Sequence, residues 1–393
     1  MIATKNFDEA DIKVLMLGAS RVGKTSILAS LASDESIALA KEGTNLEVSR
    51  RAGNGWNTVM NAEHIMRKYF SQERIDEYKA GAGEFELNDG ATAQSFDCLL
   101  DVGVQSAKKT AHSIGFTDIP GEWVNNFASG GLNDTTKKTL GDMVEKADVI
   151  IIAIDSVLLM ENDGENAENG NKINTVTALL KTYCSSTTGN NNKLFLFVPV
   201  KCELYYYIHR DYAVAKNGLH EYDYMEKLIG RVETAYASLM DWLTGKDAKS
   251  QHNSSVFSVA ILPVLTMGMI EFAYFGSGES GLRTAKDMIF EFVQYFDKDN
   301  KQLPIEYSPR FCEQILLYIL VFELRKVEKL SKNVAVKLLG WLKSIFGGFA
   351  SDTKLMAELS NLQKHITRMY DLDSDKGTLS LIKIVQDPLK CLG

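Results

Sequence analysis

The sequence predicts an α/β fold built on a doubly wound, mostly parallel sheet. Three observations predict it. Short apolar runs at residues 12–17, 149–154, 194–198 and 256–262 read as strands covered on both faces, because buried parallel strands lose the polar alternation of half-exposed ones. Segments of helical character separate these runs up to about residue 296, and such alternation calls for a parallel sheet with helices on both sides. The first run passes directly into Gly18-Ala19-Ser20-Arg21-Val22-Gly23-Lys24-Thr25, after which residues 26–32 read as the start of a helix.

That octapeptide has the spacing G-x-x-x-x-G-K-T of the P-loop, in the strand–loop–helix context the motif requires. Gly18 and Gly23 let the backbone curl so that successive N–H groups face one point, and the helix N-terminus adds partial positive charge there. Gly18, Arg21, Val22, Gly23, Lys24, Thr25 and Ser26 are therefore expected to hold the phosphates of a nucleotide. Lys24 can reach the β- and γ-phosphates, and the Thr25 hydroxyl can ligate Mg²⁺. The fold expected is that of a P-loop NTPase, with helical insertions and a C-terminal helical extension.

Residues 111–117 read as the next strand of the site, and Asp118-Ile119-Pro120-Gly121-Glu122 follows it. This D-x-x-G at a strand end resembles the magnesium and γ-phosphate switch of Ras-like and translation-factor-class GTPases. The resemblance implies that Asp118 meets the magnesium through a water and that the Gly121 N–H meets the γ-phosphate. Glu122 departs from the family pattern, which has a glutamine to orient the attacking water. An ionised glutamate accepts a hydrogen bond but donates none, and it adds like charge beside the phosphate. Lys24, Gly121 and Glu122 are the catalytic candidates, and hydrolysis is expected to be slow or to need a partner.

Base recognition is expected after residues 194–198, at Pro199-Val200-Lys201-Cys202-Glu203. This stretch resembles the guanine-reading N/T-K-x-D of GTPases. Lys201 matches the lysine whose stem lies on the base plane, Glu203 stands where aspartate accepts from the guanine, and Val200 replaces the usual Asn or Thr. Guanine is favoured over adenine on that resemblance. The loop 263–268, with Thr266, follows the last strand and is expected to complete the base site. For the threonine that closes over magnesium, Thr92 is the choice and Thr44 the rival. Taken together, DIPGE, PVKCE and PVLTMG resemble bacterial GTPase-like domains of the translation-factor class found in multi-gene conflict and signalling operons. The resemblance implies a GTP-binding switch with GTP/GDP and Mg²⁺ as ligands.

Length and composition bound the rest. The chain has 393 residues, which suits a GTPase-like domain over residues 1–300, enlarged at about 34–90 and 204–250, and an extension over 301–393. A net charge of −8 argues against nucleic acid as a partner. The five cysteines are scattered and odd in number, so neither a disulfide framework nor a zinc knuckle is expected. The first residues carry no long apolar region, and a cytoplasmic protein is expected. Residues 250–270 contain no Asp, Glu, Lys or Arg, but the apolar part is too short to span a bilayer and fits a buried strand with its loop. A helix is expected around residues 56–78, and the Asn-rich, acidic stretch 161–172 reads as a solvated loop.

The C-terminal third reads as helical. Residues 311–329 contain a solid apolar run and should pack on the core. Val334, Leu338, Leu342, Ile345 and Phe349 recur at helical spacing among lysines, and Leu355, Leu359, Leu362, Ile366 and Met369 step by four and three. These segments are candidates for contact with a protein partner or, as a peripheral association, a membrane surface. The competing functional readings are a nucleotide-dependent assembly module with negligible turnover and a dynamin-type membrane-associated GTPase.

Overall fold

A computed structural model describes residues 5–41, 46–80, 84–86, 95–104, 112–161, 164–184, 192–203, 222–247, 257–268, 270–276, 287–292, 304–328 and 382–388. Its strands are β1 (Ile12–Leu17), β2 (Leu46–Arg50), β3 (Glu84–Glu86), β4 (Phe96–Val104), β5 (His112–Asp118), β6 (Val149–Asp155), β7 (Lys193–Val200), β8 (Phe257–Ile261), β9 (Ile270–Phe275), β10 (Met288–Phe292) and β11 (Lys383–Gln386). Eight of them form one sheet in the order β11-β8-β7-β6-β1-β5-β4-β2. The central five, β8, β7, β6, β1 and β5, run parallel. Antiparallel strands extend the sheet at both ends, β4 and β2 on one side and β11 on the other. The architecture is α/β with a mostly parallel central sheet.

Every residue of β6, β7 and β8 is buried, so helices cover both faces there. One group of contacting helices comprises Lys24–Leu31, Asp34–Lys41, Asn54–Tyr69 and Cys312–Glu328; another comprises Gly121–Phe127, Asp134–Lys146 and Ile173–Cys184. The charged exception inside β7 is Lys193. Its Nζ donates to the carbonyls of Val144, Glu145 and Ala147, which end the helix Asp134–Lys146. A helix C-terminus leaves such carbonyls without intrahelical partners, and here one buried ammonium supplies them.

The insertion at 34–90 is woven into the fold. Its β2 forms one edge of the main sheet, while β3 joins β10 and β9 in a second, antiparallel sheet of three strands. In place of the single helix expected at 56–78 there are two, Asn54–Tyr69 and Gln72–Lys79. The break falls at Ser71, whose Oγ accepts from the Arg74 N–H and caps the second helix. Trp56 Nε1 donates to the Leu99 carbonyl at 3.1 Å and ties the first helix to β4. Phe70 and Tyr78 then meet Phe292 edge-on, each with ring centroids 5.6 Å apart, and fix the pair of helices on the second sheet.

Two expectations are corrected. The stretch read as a solvated loop contains a helix, Gly164–Asn171, and its last residue is buried. Asn171 Oδ1 accepts from the Asp155 N–H at 2.7 Å, and its Nδ2 donates to the Asp155 carbonyl at 3.3 Å. Polar composition concealed an anchor, because the side chain serves backbone groups at the end of β6. The extension beyond residue 300 is not wholly helical either. The helix Cys312–Glu328 packs on Lys24–Leu31 and Asp34–Lys41, but β11 then pairs antiparallel with β8. The helical stretches read at 334–349 and 355–369 lie outside the described residues, as do Thr92 and Thr44. Among the described residues no helix is long and apolar enough to cross a membrane.

Candidate functional site

The sheet changes its direction of growth at β1, which has β5 on one side and β6 on the other. In open α/β sheets ligands bind outside the carboxyl ends of the strands at such a switch point. The glycine loop stands there. Gly18, Arg21 and Gly23 have φ of 151°, 65° and 109° and turn the loop tightly into the helix Lys24–Leu31. A Cβ on Gly18 would lie 2.9 Å from the Ala153 carbonyl oxygen, and one on Gly23 would lie 3.0 Å from Val200 Cγ2, so the ends of β6 and β7 exclude side chains at both places. Val22 is buried and anchors the loop, whereas Arg21, Thr25 and Ser26 are partly exposed.

Lys24 is only 5% exposed and turns back over the loop, its Nζ donating to the Gly18 and Ala19 carbonyls at 3.1 Å each. Burial lowers its pKa, and the charge of Asp118 works against that shift. Asp118 ends β5 beside it, in register with Met16 of β1, and is fully buried. Burial raises the Asp118 pKa, while the Lys24 ammonium and the Thr25 hydroxyl oppose the rise. Thr25 Oγ1 donates to Asp118 Oδ2 at 2.8 Å. Asp118 Oδ1 is buried with no hydrogen-bond partner among the described residues. An orphaned carboxylate oxygen next to a threonine hydroxyl is a hard, all-oxygen donor set of the kind that suits Mg²⁺.

The D-x-x-G glycine is brought onto the same loop. A Cβ on Gly121 would lie 2.2 Å from the Ser20 nitrogen and 2.4 Å from the Ser20 Cα, so only glycine fits between the helix Gly121–Phe127 and the loop. Glu122, the next residue, is exposed.

Lys201, Glu203 and Thr266 stand just past the ends of β7 and β8 and are bound to their own surroundings. Lys201, with φ of 57°, forms an ion pair through Nζ with Asp155 Oδ2. Asp155 is fully buried, and its Oδ1 accepts from the Leu158 N–H at 3.0 Å, capping the helix Ser156–Met160. Met288 Sδ of β10 lies 3.8 Å from Lys201 Nζ. Glu203 is 3% exposed, and its Oε1 accepts from the Met267 N–H at 2.5 Å. Burial pushes the Glu203 pKa up to about 7, against the pull of the backbone amides at residues 266–268. Thr266 is buried too, and its carbonyl accepts from Ser30 Oγ at 3.0 Å. The loop 263–268 is bridged to Tyr307 and Arg310. Between these groups remains a cavity of ≈ 10 Å³, lined by Val157, Lys201, Glu203, Met267, Phe272 and Phe290 among others.

Two participants were not singled out in the sequence. Asp155 carried a usable signal, since an aspartate that closes an apolar run ahead of Ser-Val-Leu-Leu has the pattern of a helix N-cap. Met288 carried none, because its position depends on the second sheet. The chain matches no protein-family model, and no curated protein is significantly similar to it, so the functional reading rests on this geometry.

Proposed function

We propose that the chain is a Mg²⁺-dependent P-loop nucleoside-triphosphate switch, of the GTPase class its motifs resemble, with slow or partner-stimulated hydrolysis. One observation carries the reading: Lys24, Thr25 and Asp118 converge under the glycine loop, and an unpaired Asp118 oxygen is left among them. Thr25 and Asp118 would hold Mg²⁺, which neutralises charge on the β- and γ-phosphate oxygens. Lys24 uses two of its three hydrogens on loop carbonyls and has the third for a phosphate oxygen. The loop N–H groups and the helix N-terminus add fixed positive dipoles, which require no reorganisation when charge moves toward the leaving group.

The reaction is attack of water on the γ-phosphate, and slow turnover follows from what is missing beside it. Glu122 is exposed, and among the described residues no hydrogen bond holds it over the loop. A group supplied by a partner would then orient the water. The same observation favours a second reading, an assembly module that binds nucleotide with negligible turnover. Calorimetry with Mg²⁺-nucleoside triphosphate, on wild type and Lys24→Ala, tests binding. Single-turnover hydrolysis with and without cell extract separates the two readings. Equal affinity in both proteins refutes the triphosphate site.

A further inference from the structure

We infer that the crevice selects its ligand by the triphosphate and not by the base, so that Mg²⁺ complexes of all four common nucleoside triphosphates, and of inorganic tripolyphosphate, bind alike. The inference rests on the triphosphate reading of the glycine loop and names the ligand class of that site.

The place where Lys201 and Glu203 would read a base is filled. The second sheet lies over the end of β7. Met288 of β10 touches Lys201 Nζ, and Ile270, Phe272 and Phe290 line one small cavity with Lys201, Glu203, Val157 and Met267. The ≈ 10 Å³ left between them compares with the roughly 10–15 Å³ that a single water needs, and a purine is several times larger than a water.

The two polar groups are also committed elsewhere. Withdrawing Lys201 to lie along a base would strand the charge of Asp155, which is fully buried and which also caps a helix. Turning Glu203 toward a base would release the Met267 N–H inside the protein. It would also loosen the loop 263–268, which holds the P-loop helix through Ser30 and is bridged to Tyr307 and Arg310. Lys201 and Glu203 are therefore structural clamps. A carboxylate accepting from the guanine N–H groups would give a preference of roughly ten- to a hundredfold, and this carboxylate is spent on the loop.

The experiment is competition of GTP, ATP, CTP, UTP and tripolyphosphate, each with Mg²⁺, against one labelled nucleotide on the full chain. It is run on wild type and on Glu203→Gln, which keeps an acceptor for the Met267 N–H. The expected result is a spread of no more than about fivefold among the four nucleotides, tripolyphosphate within about tenfold of them, and the same ranking in the variant. A wild-type spread wider than about fivefold overturns the inference, whichever nucleotide leads. A GTP preference that collapses in Glu203→Gln would show in addition that Glu203 reads the base. If none of the five probes binds, the triphosphate reading itself has failed and the inference falls with it.

Discussion

Gly121 lies against Ser20 so closely that a Cβ on it would stand 2.2 Å from the Ser20 nitrogen, which welds the D-x-x-G segment to the glycine loop. Gly121 also opens a helix, where alanine is intrinsically favoured over glycine by about 1 kcal/mol. The two effects oppose each other, and the contact is with backbone that cannot swing away. Gly121→Ala should therefore destabilise the fold by about 1–3 kcal/mol, the usual cost of overpacking. Mg²⁺-triphosphate affinity should fall as well, because the strain falls on the backbone of the glycine loop. Urea titration and calorimetry read the two effects, and a stabilised variant with full affinity would sink the argument.

Asp118→Asn separates the metal from the fold. The carboxylate is buried, with Thr25 on one oxygen and no partner on the other. An amide of the same shape takes away the charge that offsets the buried Lys24 ammonium, so the ligand-free variant should be no more stable than wild type. The gain in triphosphate affinity produced by Mg²⁺ should disappear. Melting without nucleotide and calorimetry with and without Mg²⁺ provide the check; an undiminished Mg²⁺ effect would exclude Asp118 from the metal site.

Glu203 makes stability depend on pH. Its folded pKa is raised to about 7 from an ordinary 4.5, mainly by burial, so the folded state holds the proton more tightly than the unfolded chain does. The contribution is therefore complete below about pH 4.5 and is lost as pH rises through about 7. On this account stability declines between about pH 4.5 and 7, with a share from Glu203 on the order of 3 kcal/mol. Glu313, raised to about 7 by burial as well, adds to the decline. Urea midpoints across that range should fall less steeply in Glu203→Gln, and parallel curves for the two proteins would reject the assignment.

Lys193→Met should act on stability alone. The substitution leaves the carbonyls of Val144, Glu145 and Ala147 without their donor, at a cost of about 1–3 kcal/mol. Lys193 begins β7, whereas the glycine loop lies at the carboxyl ends of the strands, so triphosphate affinity should stay at the wild-type value. A parallel loss of affinity would mean that the two ends of the sheet are coupled.

Much of the central sheet was legible because β1, β6, β7 and β8 are predominantly apolar, and the boundaries of β1 could be read to the residue. The loop was legible for a different reason, since Gly18 and Gly23 sit where backbone conformation and close neighbours demand glycine. The second sheet was not, because its strands come from distant parts of the chain and β3 is three residues long. That omission left the surroundings of the PVKCE stretch unread. The pattern PVKCE says nothing of Met288, which meets Lys201, or of Phe290, which lines a small cavity with Lys201 and Glu203. Likewise the net polarity of residues 161–172 hid Asn171, whose amide pairs with the backbone of Asp155.

The pairing of β11 with β8 has a consequence in time. Gln386 Nε2 donates to the Phe257 carbonyl, a partner made 129 residues earlier. At a synthesis rate of about 5–20 residues per second, β8 leaves the ribosome roughly 6–26 s before the strand that covers its edge. During that interval the nascent chain carries an open row of N–H and C=O groups along an otherwise apolar strand, the template on which chains pair wrongly. The last described residues thus act as a closing step in biosynthesis, and a chaperone that shields sheet edges would have its greatest effect on this protein just before they emerge.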